Sequence, residues 1–244
     1  MSLTLTLGPL WVFDEGDGPG RAEPYIWPVF YKVDEEAVDW IVDPEREARP
    51  EPPWFIAPGG SHDNLPRADA GNRFEVVRTH TFPTFTPLAL TPGESAIGFV
   101  VVLLEEDDVP SDSQINRSYR LFASAVREKV IEAINEGIAS LFGGGGGGGG
   151  SSTGEGIAEL LRTKFESEVW RELMLHLGIG GPLPFIVRAF VNRDDVIGAW
   201  SRVIKLADLP APGSFRRYGP VMWSSRNGSE DGRYGLQARI DRTA

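Results

Sequence analysis

The chain opens on strict alternation: Leu3, Leu5 and Leu7 are interleaved with Thr4 and Thr6. That period of two is the pattern of a strand with one buried face. A turn-rich stretch, Asp14 to Pro24, leads into the aromatic and β-branched segment Tyr25–Asp34. Pro28 interrupts that segment and has no N–H to give to a ladder, so it predicts an edge strand or a bulge. Asp43 to Arg73 is rich in Pro, Gly, Asp and Arg and reads as a long irregular excursion with a short strand at Trp54–Ile56. A further strand is predicted at Phe74–Val77. Ile97–Leu104 is a continuous apolar run, which predicts a central strand buried on both faces.

Beyond that run the period changes. Ser111 and Gln114 have the spacing of a capping box at a helix start. Ile115, Tyr119, Phe122, Val126, Val130, Ile134, Ile138 and Leu141 then recur at three- and four-residue steps, one stripe of a long amphipathic helix. A second stripe runs through Ile157, Leu161, Phe165, Val169, Leu173 and Leu177 and stops at Gly178. Between the stripes lies an unbroken glycine run, Gly143–Gly150. It lacks the Lys-Ser/Thr of a phosphate loop and no strand precedes it, so it reads as a connector. Strands return at Phe185–Val191, Ile197–Leu206 and Arg233–Ile240. The simplest architecture is a single mainly β domain over 1–244. It is an antiparallel β-sandwich whose last strands pair with the first, with an α-helical hairpin (111–178) inserted.

Charge and composition narrow the functional classes. The 244 residues include 24 Lys+Arg and 35 Asp+Glu, a formal charge of −11. Such a surface repels nucleic acid and anionic lipid unless a basic patch or a bound cation reverses its sign locally. Arg216-Arg217 is the only adjacent basic pair, and it reads as a solvated loop. Nucleic acid is therefore not an expected partner. There is no cysteine, which excludes a disulfide, a thiolate nucleophile and a cysteine zinc site. The first ten residues have no basic start and no long apolar run, and no stretch approaches the roughly 20 apolar residues of a membrane helix. A soluble, cytoplasmic protein is expected.

Two acidic loops carry the most chemistry. Asp14, Asp17 and Glu23 precede Pro24-Tyr25 and the strand after them, while Asn192, Asp194 and Asp195 precede Val196-Ile197-Gly198. In this order the chain resembles a C2 domain. Glu23-Pro24-Tyr25 stands where that family has Asp-Pro-Tyr. Asp195-Val196-Ile197-Gly198 fits its Asp-x-Ile-Gly, and Ile204–Leu209 is similar to its following Leu-rich segment. The resemblance covers roughly Leu3 to Val33 and Phe185 to Ile240. It implies a C2-like sandwich with calcium at one rim, through which an acidic surface meets phospholipid or a protein partner. Calcium takes about six to eight oxygen ligands, mostly carboxylates and carbonyls. If Asp14, Asp17, Glu23, Asn192, Asp194 and Asp195 converge, the clustered charge favours such a cation. Asp and Gly are also ordinary turn formers, so the same loops suit a metal-free scaffold.

The remaining candidates read as structural. Glu105–Asp108 is a charged brake after an aggregation-prone strand. Ser61-His62-Asp63 has the composition of a triad, but sequence neighbours point apart and no G-x-S-x-G elbow supports it. His62, His80 and His176 lack zinc-ligand spacing, and His176 suits a helix C-terminus. Trp11, Trp27, Trp40, Trp54, Trp200 and Trp223 fall on predicted strands or their borders and Trp170 on the second helix, where packing is the ordinary use. The sequence thus points to a non-catalytic binding or assembly module that engages a lipid or protein partner, with calcium held by its end loops. The alternatives are a metal-free structural component of a multiprotein assembly, a carboxylate-dependent hydrolase and a carbohydrate-binding sandwich.

Overall fold

A computed structural model describes residues 1–15, 23–43, 45, 51–106, 112–142, 156–166, 195–227 and 230–243. The elements run β1 (Leu3–Asp14), β2 (Pro24–Val33), α1 (Glu35–Val42), β3 (Phe55–Ile56), β4 (Arg73–Phe74), β5 (Arg78–Phe82), β6 (Ala96–Glu105), α2 (Asp112–Phe142), α3 (Ile157–Phe165), β7 (Asp195–Lys205), β8 (Ser214–Asn227) and β9 (Glu230–Arg242). They form two antiparallel sheets. In the first, β4 and β5 both pair with β1, which pairs with β9, and β9 with β8; the second has the order β3-β2-β6-β7. First and last strands are neighbours, with Leu3 opposite Arg242.

Alternation decides what each sheet buries. Leu3, Leu5 and Leu7 of β1 and Leu236 and Ile240 of β9 face Ile26 and Phe30 of β2 and Phe99 and Val101 of β6, filling the space between the sheets. The opposite face of the second sheet presents Tyr25, Trp27, Val29 and Tyr31 with Val100 and Val102. Phe122, Val126 and Val130 of α2 and Leu161 and Phe165 of α3 cover them. The described residues therefore form three layers: sheet, sheet, helices. Every residue of β2 and β6 is buried, which is why Ile97–Leu104 carries no polar alternation. Helices α2 and α3 lie in the chain between the paired strands β6 and β7 and run antiparallel to each other. Ile157 abuts Gly137, and Lys164 reaches back to Glu132 and Glu136, 3.1 Å from each. Hydrogen bonds from Lys129 and Lys164 hold the Glu132 carboxyl below its usual range.

The margins of the second sheet are closed by side chains. Ile26 N–H donates to Asn64 Oδ1 (3.1 Å) while Asn64 Nδ2 donates to Ile26 O (2.6 Å), so one amide stands in for a paired strand. Two residues on, Pro28 has the same outward edge, and its carbonyl accepts the Tyr119 hydroxyl of α2 at 2.7 Å. Pro28 is tolerated because β6 lies on the other side and nothing asks for its missing N–H. At the opposite margin Val203 N–H donates to Glu166 Oε1 at 2.6 Å. In the first sheet, two Gly-Pro bulges mirror each other across β9. Gly8-Pro9 interrupts β1 and Gly219-Pro220 interrupts β8, on either side of Gln237. Gly8 and Gly219 both have positive φ, which suits glycine.

Several elements differ from the sequence reading. Phe74–Val77 is not one strand: β4 ends at Phe74 and β5 begins at Arg78. The intervening residues cross the β1 bulge, where a Cβ on Gly8 would stand 2.9 Å from Val76 Cα, and Val77 N–H donates to Leu7 O at 2.8 Å. The strand at Tyr25 is followed directly by helix α1, capped by Asp34, whose carboxylate accepts Ala37 N–H. Trp40 consequently lies on a helix rather than a strand border. Arg216-Arg217 lies on β8, not in a loop. Glu105 is not a solvated brake: it ends β6 only 2% exposed, because Tyr234 approaches it from β9 with its hydroxyl 3.0 Å from Oε2. The predicted strand Phe185–Val191, the helical positions Val169, Leu173 and Leu177, Trp170, His176, Asp107, Asp108, Ser111 and the glycine run lie outside the described residues. Among the described residues no helix is long and apolar enough to cross a membrane.

Candidate functional site

Two surfaces concentrate unusual side chains. The first is the rim predicted from sequence. Strand β1 ends at Asp14, and β2 starts at Pro24 opposite Glu105. Glu105 in turn lies opposite Asp195 at the start of β7. The Tyr234 hydroxyl ties the rim together, lying 3.2 Å from the Glu15 carbonyl and 3.0 Å from Glu105 Oε2. The strand ends that carry Asp14, Glu23 and Asp195 therefore meet at one end of the sandwich. Glu23 is already engaged, with Oε1 2.7 Å from Arg67 Nε. Asp17, Asn192 and Asp194 lie outside the described residues. Among the described residues no group of three or more carboxylates and histidines is arranged to hold a metal. In the Asp195–Gly198 motif, Ile197 is the extra residue of a bulge opposite Leu103-Leu104, and Gly198 makes room for the Trp223 indole. A Cβ at Gly198 would stand 2.3 Å from Trp223 Cδ1. Packing accounts for that glycine.

The second surface is the outer face of the first sheet, which no helix covers among the described residues. Thr4 and Thr6 point outward beside Thr81 and Thr79, and the hydroxyls pair at 2.9 and 3.2 Å. Farther along, the outward positions become aromatic and basic. Arg73 lies over the Trp11 ring at 5.5 Å and Arg233 over Phe13 at 5.4 Å. Arg239 and Arg217 bracket Phe215 at 4.1 and 5.3 Å. Phe13, Phe215 and Met222 are 42%, 49% and 47% exposed. Acids offset this charge: Asp241 pairs with Arg239, Glu75 lies 3.7 Å from Arg73, and the exposed Asp14 is in register with Arg233. Sequence reasoning missed this surface. Its visible signal was Arg216-Arg217, and the period-two placement of Phe215 and Arg217 around it puts both on one face.

Comparison of the chain with protein-family models, with curated proteins and with solved structures finds no match in any of the three.

His62 Nε2 is 3.6 Å from Asp63 Oδ1 on a short 3₁₀ turn. His80, on β5, stacks on Phe30 and meets Phe82 edge-on, with ring centroids at 6.2 and 4.5 Å. Burial holds its imidazole below the ordinary 6.5. Among the described residues the buried cation is Lys32. Its ammonium meets Asp34 (2.8 Å), Glu36 (2.5 Å) and the Thr84 carbonyl (2.8 Å), and so fastens β2 to the cap of α1.

Proposed function

We propose that this protein is a non-catalytic binding module that docks an acidic, partly apolar protein segment on the open face of its first sheet. The observation that carries the reading is the row of arginines laid over exposed aromatic rings: Arg73 on Trp11, Arg233 on Phe13, and Arg217 and Arg239 on Phe215. A guanidinium over a ring can still pair through its edge with a carboxylate, as Arg239 does with Asp241. The ring margins and Met222 offer apolar contact beside it. On a chain of net charge −11 this face gathers four arginines against Asp14, Asp241 and Glu75. A long polyanion such as a nucleic-acid strand would meet the acidic remainder of the molecule, whereas a short acidic segment fits the patch alone.

The test is fluorescence anisotropy with a labelled peptide alternating Glu and Leu, using oligothymidylate as competitor. Binding should weaken with added salt and fall at least tenfold in the double variant Arg217→Glu/Arg239→Glu, with its melting temperature unchanged. Equal binding by the variant, or displacement of the peptide by the oligonucleotide at lower concentration, would sink the reading.

A second reading keeps the C2-like relationship and a calcium ion at the rim. What supports it is the gathering of the β1, β2, β6 and β7 ends, with Asp14, Glu23, Glu105 and Asp195, at one end of the sandwich. In that reading the loops carrying Asp17, Asn192 and Asp194 complete the ligand set, and the ion lets the rim meet lipid or protein. A thermal melt with calcium and with chelator decides it, since a ligand of the native state raises the midpoint by mass action. Coincident midpoints dismiss calcium, and liposome sedimentation indifferent to calcium dismisses the membrane.

A further inference from the structure

Helix α2 and the chain on either side of β3 border an open hollow of about 640 Å³, within the size range of small-molecule sites. One wall is apolar and proline-rich, with Pro52, Phe55 and Pro58. The other is a polar stripe of α2: Asn116, Arg120, Ser124 and Arg127 recur at three- and four-residue spacing and so share a face. Tyr119 forms part of the lining and is immobilised, donating to Pro28 O while accepting from Gly59 N–H. Burial pushes its hydroxyl well above the ordinary phenol range, so it stays protonated.

The two arginines are the unusual feature. Arg120 Nε donates to the Asn116 carbonyl of its own helix at 3.2 Å. Among the described residues neither Arg120 nor Arg127 forms an ion pair with a carboxylate, in a chain that has 35 acidic residues to offer. Among the described residues the one acid in the lining is the exposed Glu51. Elsewhere on the helical layer the cations are paired: Lys129 with Glu132, Lys164 with Glu132 and Glu136, and Arg162 with Asp208.

We infer that this hollow binds a small organic oxyanion, a carboxylate or phosphate monoester carried on an apolar body. The anionic group lies between Arg120 and Arg127 within reach of Ser124, and the apolar body rests on the Pro52–Phe55–Pro58 wall. The site is separate from the open sheet face and does not depend on the docking reading given for it.

The test uses the full chain and two probes, phenyl phosphate and benzoate, followed by amide chemical shifts and by thermal shift. Benzyl alcohol serves as the uncharged control and inorganic phosphate as the bare anion. At least one organic anion should perturb amides of α2 around Ser124 and raise the melting midpoint, and the benzyl alcohol response should be at least tenfold weaker. Arg120→Gln/Arg127→Gln should lose at least tenfold in affinity with the ligand-free midpoint unchanged. Ser124→Phe should block the hollow while keeping both charges. Shifts scattered over the surface, inorganic phosphate binding as well as the organic probes, or undiminished affinity in both variants would overturn the assignment. So would silence with both organic probes.

Discussion

The two sheets share a core yet face opposite worlds. The second sheet is covered on both sides: its outer face meets α2 and α3 through Trp27, Tyr31, Val100 and Val102, and its margins are closed by Asn64, Tyr119 and Glu166. Among the described residues the first sheet is covered on one side only, and its outer face carries Thr, Arg and exposed aromatic residues. Apolar residues therefore do different jobs in the two. On the second sheet they are removed from water and stabilise the fold. On the first, Phe13, Phe215 and Met222 stay in water, where their energetic value is realised only when something else covers them.

The widest test of this contrast pairs a truncation on each side. Trp27→Ala, in the helix-covered layer, should cost about 3–5 kcal/mol, read as a lower denaturation midpoint. Phe215→Ala on the open face should cost below about 1 kcal/mol while weakening the acidic peptide. A comparable loss of stability from both would mean that the open face is structural. Next in size, Gly98→Ala in β6 inserts a methyl 2.4 Å from Tyr31 Cζ and 2.7 Å from the Arg202 carbonyl. Overpacking of this kind costs about 1–3 kcal/mol, and a neutral result would show slack in the doubly covered sheet. Tyr119→Phe removes the hydroxyl that serves Pro28 O and Gly59 N–H, and a loss of about 1–2 kcal/mol is expected. If urea titration shows none, water replaces the phenol and that margin is less closed than its geometry implies.

The smallest effect concerns pH. His80 has its pKa depressed by burial, so the unfolded chain binds its proton more readily than the native one. The stabilisation is present above the unfolded value near 6.5 and is lost as pH falls through the lower native value. Melting midpoints should decline over that window in the wild type, and His80→Phe should flatten that part of the profile. A decline unchanged in the variant would assign it to other groups.

Much of the core framework was legible in the chain. The leucine–threonine alternation located β1, and the unbroken apolar run of β6 announced burial on both faces. The three- and four-residue steps placed α2 and the start of α3. The open face was not legible, for a local reason. Gly219-Pro220 breaks the alternation of β8 with a bulge, so Phe215 and Arg217 fall out of step with Met222 and the strand does not declare itself. Helix α1 was hidden because eight residues give little periodicity, although Asp34 followed by Glu35 and Glu36 is a start signal. The rim was legible as acidic loops at the ends of strands. That Arg67 engages Glu23, and that Tyr234 lies against Glu105, follows from long-range chain contacts that no local pattern records.

The placement of the indoles among the described residues gives a built-in optical division. Trp27, Trp40 and Trp54 belong to the core beneath the helices, whereas Trp200 and Trp223 pack at the edge of the core between the sheets and Trp11 lies partly open under Arg73. Lifting α2 away would wet the first group while sparing the others. Emission colour can thus register detachment of the helical layer as an event distinct from collapse of the sandwich, with no extrinsic label attached.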